Sequence, residues 1–219
     1  MRHFGFPVGA WTLLLMGVAL SPGAAEQTYW VGHLKVAEFQ FAKNRVESPS
    51  PDAGREFESA DLTVYSFRVY QNPRGVVRHE LSSISRNRGL EPGLDVRLFN
   101  YAEGYMTSFN KGARRAYKAP MPVPGGIATR LEDRQILGHR CKGLEMRWND
   151  MNHYVVVIET WTAVDCDFRG PLFKVTKTSD PARRLRSFSV EAIADLEKAD
   201  HLEDSLFAVP AGLSVEELP

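Results

Sequence analysis

The sequence predicts a mainly β fold: a single curved antiparallel sheet, an open half-barrel, with one or two short helices. Three observations carry this expectation. Aromatic and β-branched residues alternate with polar ones in run after run, the period-two pattern of half-buried strands. Short glycine-containing polar segments separate the runs at hairpin lengths. No segment after residue 25 carries the clean apolar stripe of an amphipathic helix.

The elements follow in order. Residues 28–43 (TYWVGHLKVAEFQFAK) interleave Tyr, Trp, Val and Phe with polar residues. Residues 62–70 (LTVYSFRVY) place Thr63, Tyr65, Phe67 and Val69 on one side of a pleat. Residues 75–85 follow the turn Asn72-Pro73-Arg74-Gly75. Residues 94–101, 105–109 and 113–118 are separated by Ala102-Glu103-Gly104 and Asn110-Lys111-Gly112, which predicts a meander. Residues 139–148 and 153–164 flank the polar segment Asn149-Asp150-Met151-Asn152. Tyr154 to Ile158 (YVVVI) is apolar on both faces, so this strand is expected to be central and covered on each side. Residues 172–178 and 187–196 are the last strands, and Phe207-Ala208-Val209-Pro210 closes the chain as a tail on the core.

Helix-forming composition falls at 128–137 and 192–201, and loops are expected at 47–56 (ESPSPDAGRE) and 119–126 (APMPVPGG). The second loop divides the chain almost evenly. Each half alone offers little core, so residues 26–219 are expected to form one domain.

The first 25 residues have the grammar of a signal peptide. Arg2 supplies the positive region and residues 10–20 (AWTLLLMGVAL) the apolar one; Gly23-Ala24-Ala25 offers small residues for cleavage after Ala25. The apolar run is shorter than the roughly 20 residues that span a bilayer, and no later run could span one. The expected location is therefore periplasmic or secreted, with no transmembrane segment after cleavage. Charge is balanced, 27 basic against 27 acidic side chains, so no nucleic-acid partner is expected.

Cys141 and Cys166 are the two cysteines, and an oxidising compartment favours a disulfide between them. Geometry sets a condition. If Trp148 faces His153, Cys141 lies opposite Thr160 and Cys166 six residues further, about 20 Å away. The bond then requires the chain to turn back after Val164, or a bulge to shift the register. His139, Cys141, Asp165 and Asp167 lack a recognised ligand spacing, so neither a metal nor a cofactor is expected. No G-x-S-x-G occurs, and His79 with Ser83 is an ordinary surface pair, so the chain is not expected to be an enzyme. The basic clusters Arg114-Arg115 and Arg183-Arg184-Arg186 follow turns and suit solvated hairpin ends. Most aromatics belong to the core, but a concave sheet face lined with them also holds apolar ligands. Trp148, Tyr154 and Trp161 are the candidates for such a lining.

The C-terminal part also carries a family resemblance. Ile136-Leu137-Gly138-His139-Arg140-Cys141 opens a strand ending at Trp148, and its partner contains Glu159-Thr160-Trp161-Thr162-Ala163 before Asp165. Gly170-Pro171-Leu172, the strand 187–196 and Leu206-Phe207-Ala208-Val209-Pro210-Ala211-Gly212 complete the order. Over about residues 94–215 this resembles bacterial exported proteins of unknown function grouped with the LolA-like lipoprotein carriers. The resemblance implies a signal peptide followed by a curved antiparallel sheet wrapped part-way round a hydrophobic concavity.

The function expected from these readings is non-enzymatic binding of a lipid or acyl chain in that concavity. An envelope protein partner meeting a filled-core interaction module is the alternative, and a hydrolase with an unrecognised site the second. The aromatic pattern and the resemblance favour the first.

Overall fold

The computed structural model describes residues 28–41, 61–86, 95–121 and 126–218. The signal-peptide reading and the 47–56 loop lie outside the described residues. Among the described residues, twelve strands share one sheet: β1 Tyr29–Gln40, β2 Asp61–Gln71, β3 Val76–Arg86, β4 Val96–Asn100, β5 Tyr105–Phe109, β6 Arg115–Pro120, β7 Ile127–Ile136, β8 His139–Asn149, β9 Val155–Ala163, β10 Pro171–Ser179, β11 Leu185–Ala199 and β12 Ser214–Glu217. Their spatial order is β12-β6-β5-β4-β3-β2-β1-β11-β10-β9-β8-β7, an open curved sheet that does not close into a barrel.

Two meanders make this order, β1 to β6 and β7 to β11, and the antiparallel β1–β11 pair joins them. The two middle strands of this order are β2 and β1, whereas β9 lies two places from the β7 edge. In β1 the alternation holds: Trp30, Gly32, Leu34 and Val36 are buried on one side, while His33 and Lys35 are exposed. Register shifts interrupt several ladders, including His33/Leu34 in β1, Ser66/Phe67 in β2 and Pro171/Phe173 in β10. Such bulges bend the bulged strand and raise its twist, which is how a twelve-stranded sheet curls.

Three expectations change. Residues 128–137 and 192–201 are not helices; they belong to β7 and to the 15-residue β11. Pairing with β8 from Ile127 to Ile136 and with all of β1 engages their backbones, and that outweighs a mild helical composition with no apolar stripe. The one helix among the described residues is the 3-10 turn Asp204–Phe207. The tail also continues further than expected, into β12, which pairs with β6 in parallel.

Among the described residues, two apolar clusters hold the sheet. The larger gathers Trp30, Leu34, Val36, Phe67, Val69, Val77, Cys141, Trp161, Phe168, Leu172 and Ile193. The smaller joins Val96, Leu98, Phe109 and Ala116 to Val209 and Leu213 of the tail. Leu98 pairs with Arg78, and Arg78 Nη1 donates to the Leu206 carbonyl at 2.9 Å. Successive side chains alternate faces, so Arg97 and Phe99 point to the face of β4 opposite the tail.

Candidate functional site

The face away from the tail carries a cleft of about 460 Å³. Leu34 and Val36 of β1, Phe67 of β2, Phe99 of β4, Met106 of β5 and Ile193 of β11 form its apolar walls. The β9–β10 connection closes one side with Phe168, Gly170 and Pro171. That connection is held down by three hydrogen bonds. Trp30 Nε1 donates to Asp167 Oδ1 at 2.6 Å, Gln71 Nε2 donates to the Asp167 carbonyl at 2.9 Å, and Arg169 N–H donates to Gln71 Oε1 at 2.6 Å.

Seven of the sixteen residues lining the cleft are polar, Glu38 among them, and they are unevenly paired. Lys174 Nζ meets Glu191 Oε1 at 2.7 Å. The Arg97 guanidinium lies 5.8 Å from the centre of the Phe67 ring, and among the described residues no carboxylate pairs with it. The His79 ring sits 4.8 Å from the Phe99 ring centre. Burial, then the positive charges of Arg97 and Lys174, hold the His79 pKa down to about 3, so its imidazole is neutral at pH 7. Tyr101 is pushed up to about 12, by burial and then by Glu191, and keeps its phenol proton. A neutral imidazole, a neutral phenol, the Lys174–Glu191 pair and the Arg97 guanidinium share the cleft with the Glu38 carboxylate and the Tyr65 phenol.

The three lining candidates from the sequence lie elsewhere. Trp148 is half-buried opposite Val156, and Tyr154 is half-buried in the β8–β9 turn. Trp161 is only 2% exposed; its indole donates to the Glu132 carbonyl at 3.1 Å beneath the Arg134 guanidinium. None of the three lines the cleft, which lies chiefly around β1 to β5 and β11. The residues that do line it were read as strand residues, Tyr65 and Phe67 among them. The period-two pattern assigns faces within a strand, but not which part of a sheet curls.

Cys141 and Cys166 are both free thiols here, so the expected disulfide is not formed. Their proximity conditions are nonetheless met. Asp150 Oδ1 accepts the N–H groups of Asn152 and Tyr154, which widens the β8–β9 turn. Asn149 therefore pairs with Val155 and Cys141 with Ala163, three residues nearer Cys166 than a Trp148–His153 pair implies. The chain also turns back after Val164, and Cys166 packs against the cluster that contains Cys141. Beside them, His139 Nδ1 lies 3.1 Å from Asp165 Oδ1. The sequence singled out His139 and Asp165, yet grouped them with Cys141 and Asp167 instead of Cys166.

No protein-family model matches the chain, and no curated protein matches it. Solved structures of similar course exist. An uncharacterized conserved protein from Thermus thermophilus aligns over 87% of this chain and 91% of its own, with 12% identity and a TM-score of 0.43. PNGF-II aligns over 88% of this chain with 15% identity and a TM-score of 0.45, and the match spans 31% of PNGF-II's own length. A putative outer membrane lipoprotein-sorting protein domain from Vibrio parahaemolyticus aligns over 82% of this chain and 88% of its own, with 11% identity and a TM-score of 0.21. Among the described residues, no helix is long and apolar enough to cross a membrane.

Proposed function

We propose that this protein is a non-enzymatic binder of a lipid or acyl chain, held in the cleft on the concave face of the sheet. The observation that carries the reading is the cleft itself: a groove with apolar walls built from seven strands and a tethered loop, with one guanidinium inside that no carboxylate pairs with among the described residues. A volume of about 460 Å³ falls within the range of small-molecule sites. The N-terminal pattern of residues 1–25 supports export, which would place the binder in the periplasm or outside the cell.

The test is mass spectrometry on the protein purified after expression from its full sequence, first native and then after organic extraction. A discrete lipid at one per chain is the expected result. An apoprotein mass, with nothing extractable after lipid has been offered, overturns the proposal. An interaction module would then lead, and β7 is its natural edge: it is the last strand of the sheet, and Ile127 is 75% exposed.

A further inference from the structure

Away from the cleft, His139, Asp165 and Cys166 bring three kinds of donor together. An imidazole nitrogen, a carboxylate oxygen and a thiol sulfur all lie within 4.8 Å of one another. Backbone geometry places each of them. Leu137 and Gly138 both have positive φ, 53° and 80°, and this tight turn starts β8 at His139. The Val164 N–H donates to the Arg140 carbonyl at 2.9 Å, and the chain then doubles back to set Asp165 and Cys166 beside the strand start. Asp165 Oδ2 accepts the Arg140 N–H at 2.8 Å, leaving Oδ1 to face His139. The Trp30 and His139 rings also meet in a T-shaped contact, 6.2 Å between centres.

We propose that this cluster binds a borderline-soft divalent cation of the zinc type, through a His139 ring nitrogen, an Asp165 oxygen and the Cys166 thiolate, with a fourth position open. A mixed nitrogen, oxygen and sulfur set suits zinc and disfavours calcium and magnesium, which take oxygen ligands. Tetrahedral zinc with bonds of about 2.0–2.3 Å sets its ligand atoms about 3.3–3.8 Å apart. The three donor atoms, within 4.8 Å of one another, are at most about 1–1.5 Å wider apart than that spacing. The Arg140 N–H on Asp165 is the kind of hydrogen bond that orients a ligating carboxylate. Cys141 is fully buried beside the cluster, with its thiol 3.5 Å from the His139 carbonyl, and is not one of the donors. Binding breaks the Cys166 S–H bond and forms a sulfur–metal bond, releasing one proton for each ion bound.

Cobalt(II) is the probe, titrated into the metal-stripped protein with a phosphine reductant present. One equivalent should saturate the site and give the visible bands of a four-coordinate ion with a near-ultraviolet thiolate charge-transfer band; zinc should erase both. Cys166→Ser should lose the charge-transfer band, and His139→Ala and Asp165→Asn should each weaken cobalt binding at least tenfold. Cys141→Ala should leave the spectrum unchanged. No band at one equivalent, or a charge-transfer band that survives Cys166→Ser and vanishes in Cys141→Ala, overturns the proposal. Should a variant fail to fold, X-ray absorption on the zinc-loaded wild type decides it. One sulfur at about 2.3 Å among nitrogen and oxygen neighbours is expected, and a shell without sulfur overturns it.

Discussion

The indole N–H of Trp30 donates to Asp167 Oδ1 at 2.6 Å, joining the first strand to the β9–β10 connection across 137 residues. Gln71 completes the junction. It is 1% exposed, and its amide both donates to the Asp167 carbonyl and accepts the Arg169 N–H. One side chain thereby satisfies two backbone groups of a segment that leaves the sheet. The same segment contributes Phe168 to the core and to the cleft wall, so these bonds shape the cleft as well as the fold.

Gln71→Ala leaves both backbone groups without their partner. Each unsatisfied buried group costs about 1–3 kcal/mol, so a loss of about 2–4 kcal/mol in urea-denaturation stability is expected. Gln71→Glu should not restore it, because a buried carboxylate accepts the Arg169 N–H but cannot donate to the Asp167 carbonyl and carries an uncompensated charge. If Gln71→Ala unfolds at the wild-type midpoint, the tether does not hold the loop.

His79 makes stability depend on pH with a defined sign. Its folded pKa is about 3, against an ordinary 6.5, because burial and then Arg97 and Lys174 disfavour the imidazolium. Below pH 6.5 the unfolded chain gains a proton that the folded chain refuses, so stability falls as the pH drops from about 6.5 towards 3. Carboxylates titrate in wild type and variant alike and cancel in the comparison. Relative to His79→Phe, the wild type should lose about 2–3 kcal/mol between pH 7 and pH 4. Parallel pH profiles for the two proteins would show that His79 is protonated in the folded state.

What the sequence makes legible here is local. Alternation in residues 28–43, and in 62–70 with the turn at Asn72-Pro73-Arg74-Gly75, corresponds to β1, β2 and β3 because a one-residue slip would move every buried side chain to the other face. The β7 assignment fails for the converse reason. Its residues are mostly exposed, so no periodic apolar signal exists and pairing with β8 alone makes it a strand. The cleft and the His139 cluster depend on long-range closure. Val36 meets Phe99 across a cleft because four strands curl, and Cys166 meets His139 because one aspartate widens a turn. Neither event has a short-range signature, although Asp150 in a polar connection is the nearest thing to one.

Gly143 tests the fit between β7, β8 and β9. A Cβ there would lie 2.7 Å from Trp161 Nε1, 2.8 Å from Leu131 Cβ and 3.0 Å from the Glu132 carbonyl oxygen. Leu131 sits at the β7 register shift, and the Trp161 indole already donates to Glu132. Gly143→Ala must therefore separate the strands or rotate the buried indole. A loss of about 1–3 kcal/mol, typical of overpacking, is expected, together with a changed near-ultraviolet circular dichroism signal. An unchanged tryptophan signal would mean that β7 lifts away instead of Trp161 moving.

Arg97 predicts which lipids the cleft prefers. Its guanidinium faces the cleft beside the Phe67 ring with no carboxylate partner among the described residues, whereas Lys174 is already paired with Glu191. A charged hydrogen bond contributes about 1.5–3 kcal/mol, so a long-chain carboxylate should bind about tenfold or more tightly than the alcohol of the same chain length. Arg97→Gln should abolish that preference and leave the alcohol's affinity within about twofold. Met106→Glu, on the half-exposed wall of the same cleft, should weaken both ligands, since it places a charge against the chain. Fluorescence competition with a bound apolar dye reads all three comparisons. Equal affinities for acid and alcohol in the wild type would remove Arg97 from the headgroup's contacts. Loss of both ligands in Met106→Glu would still place the chain in the cleft.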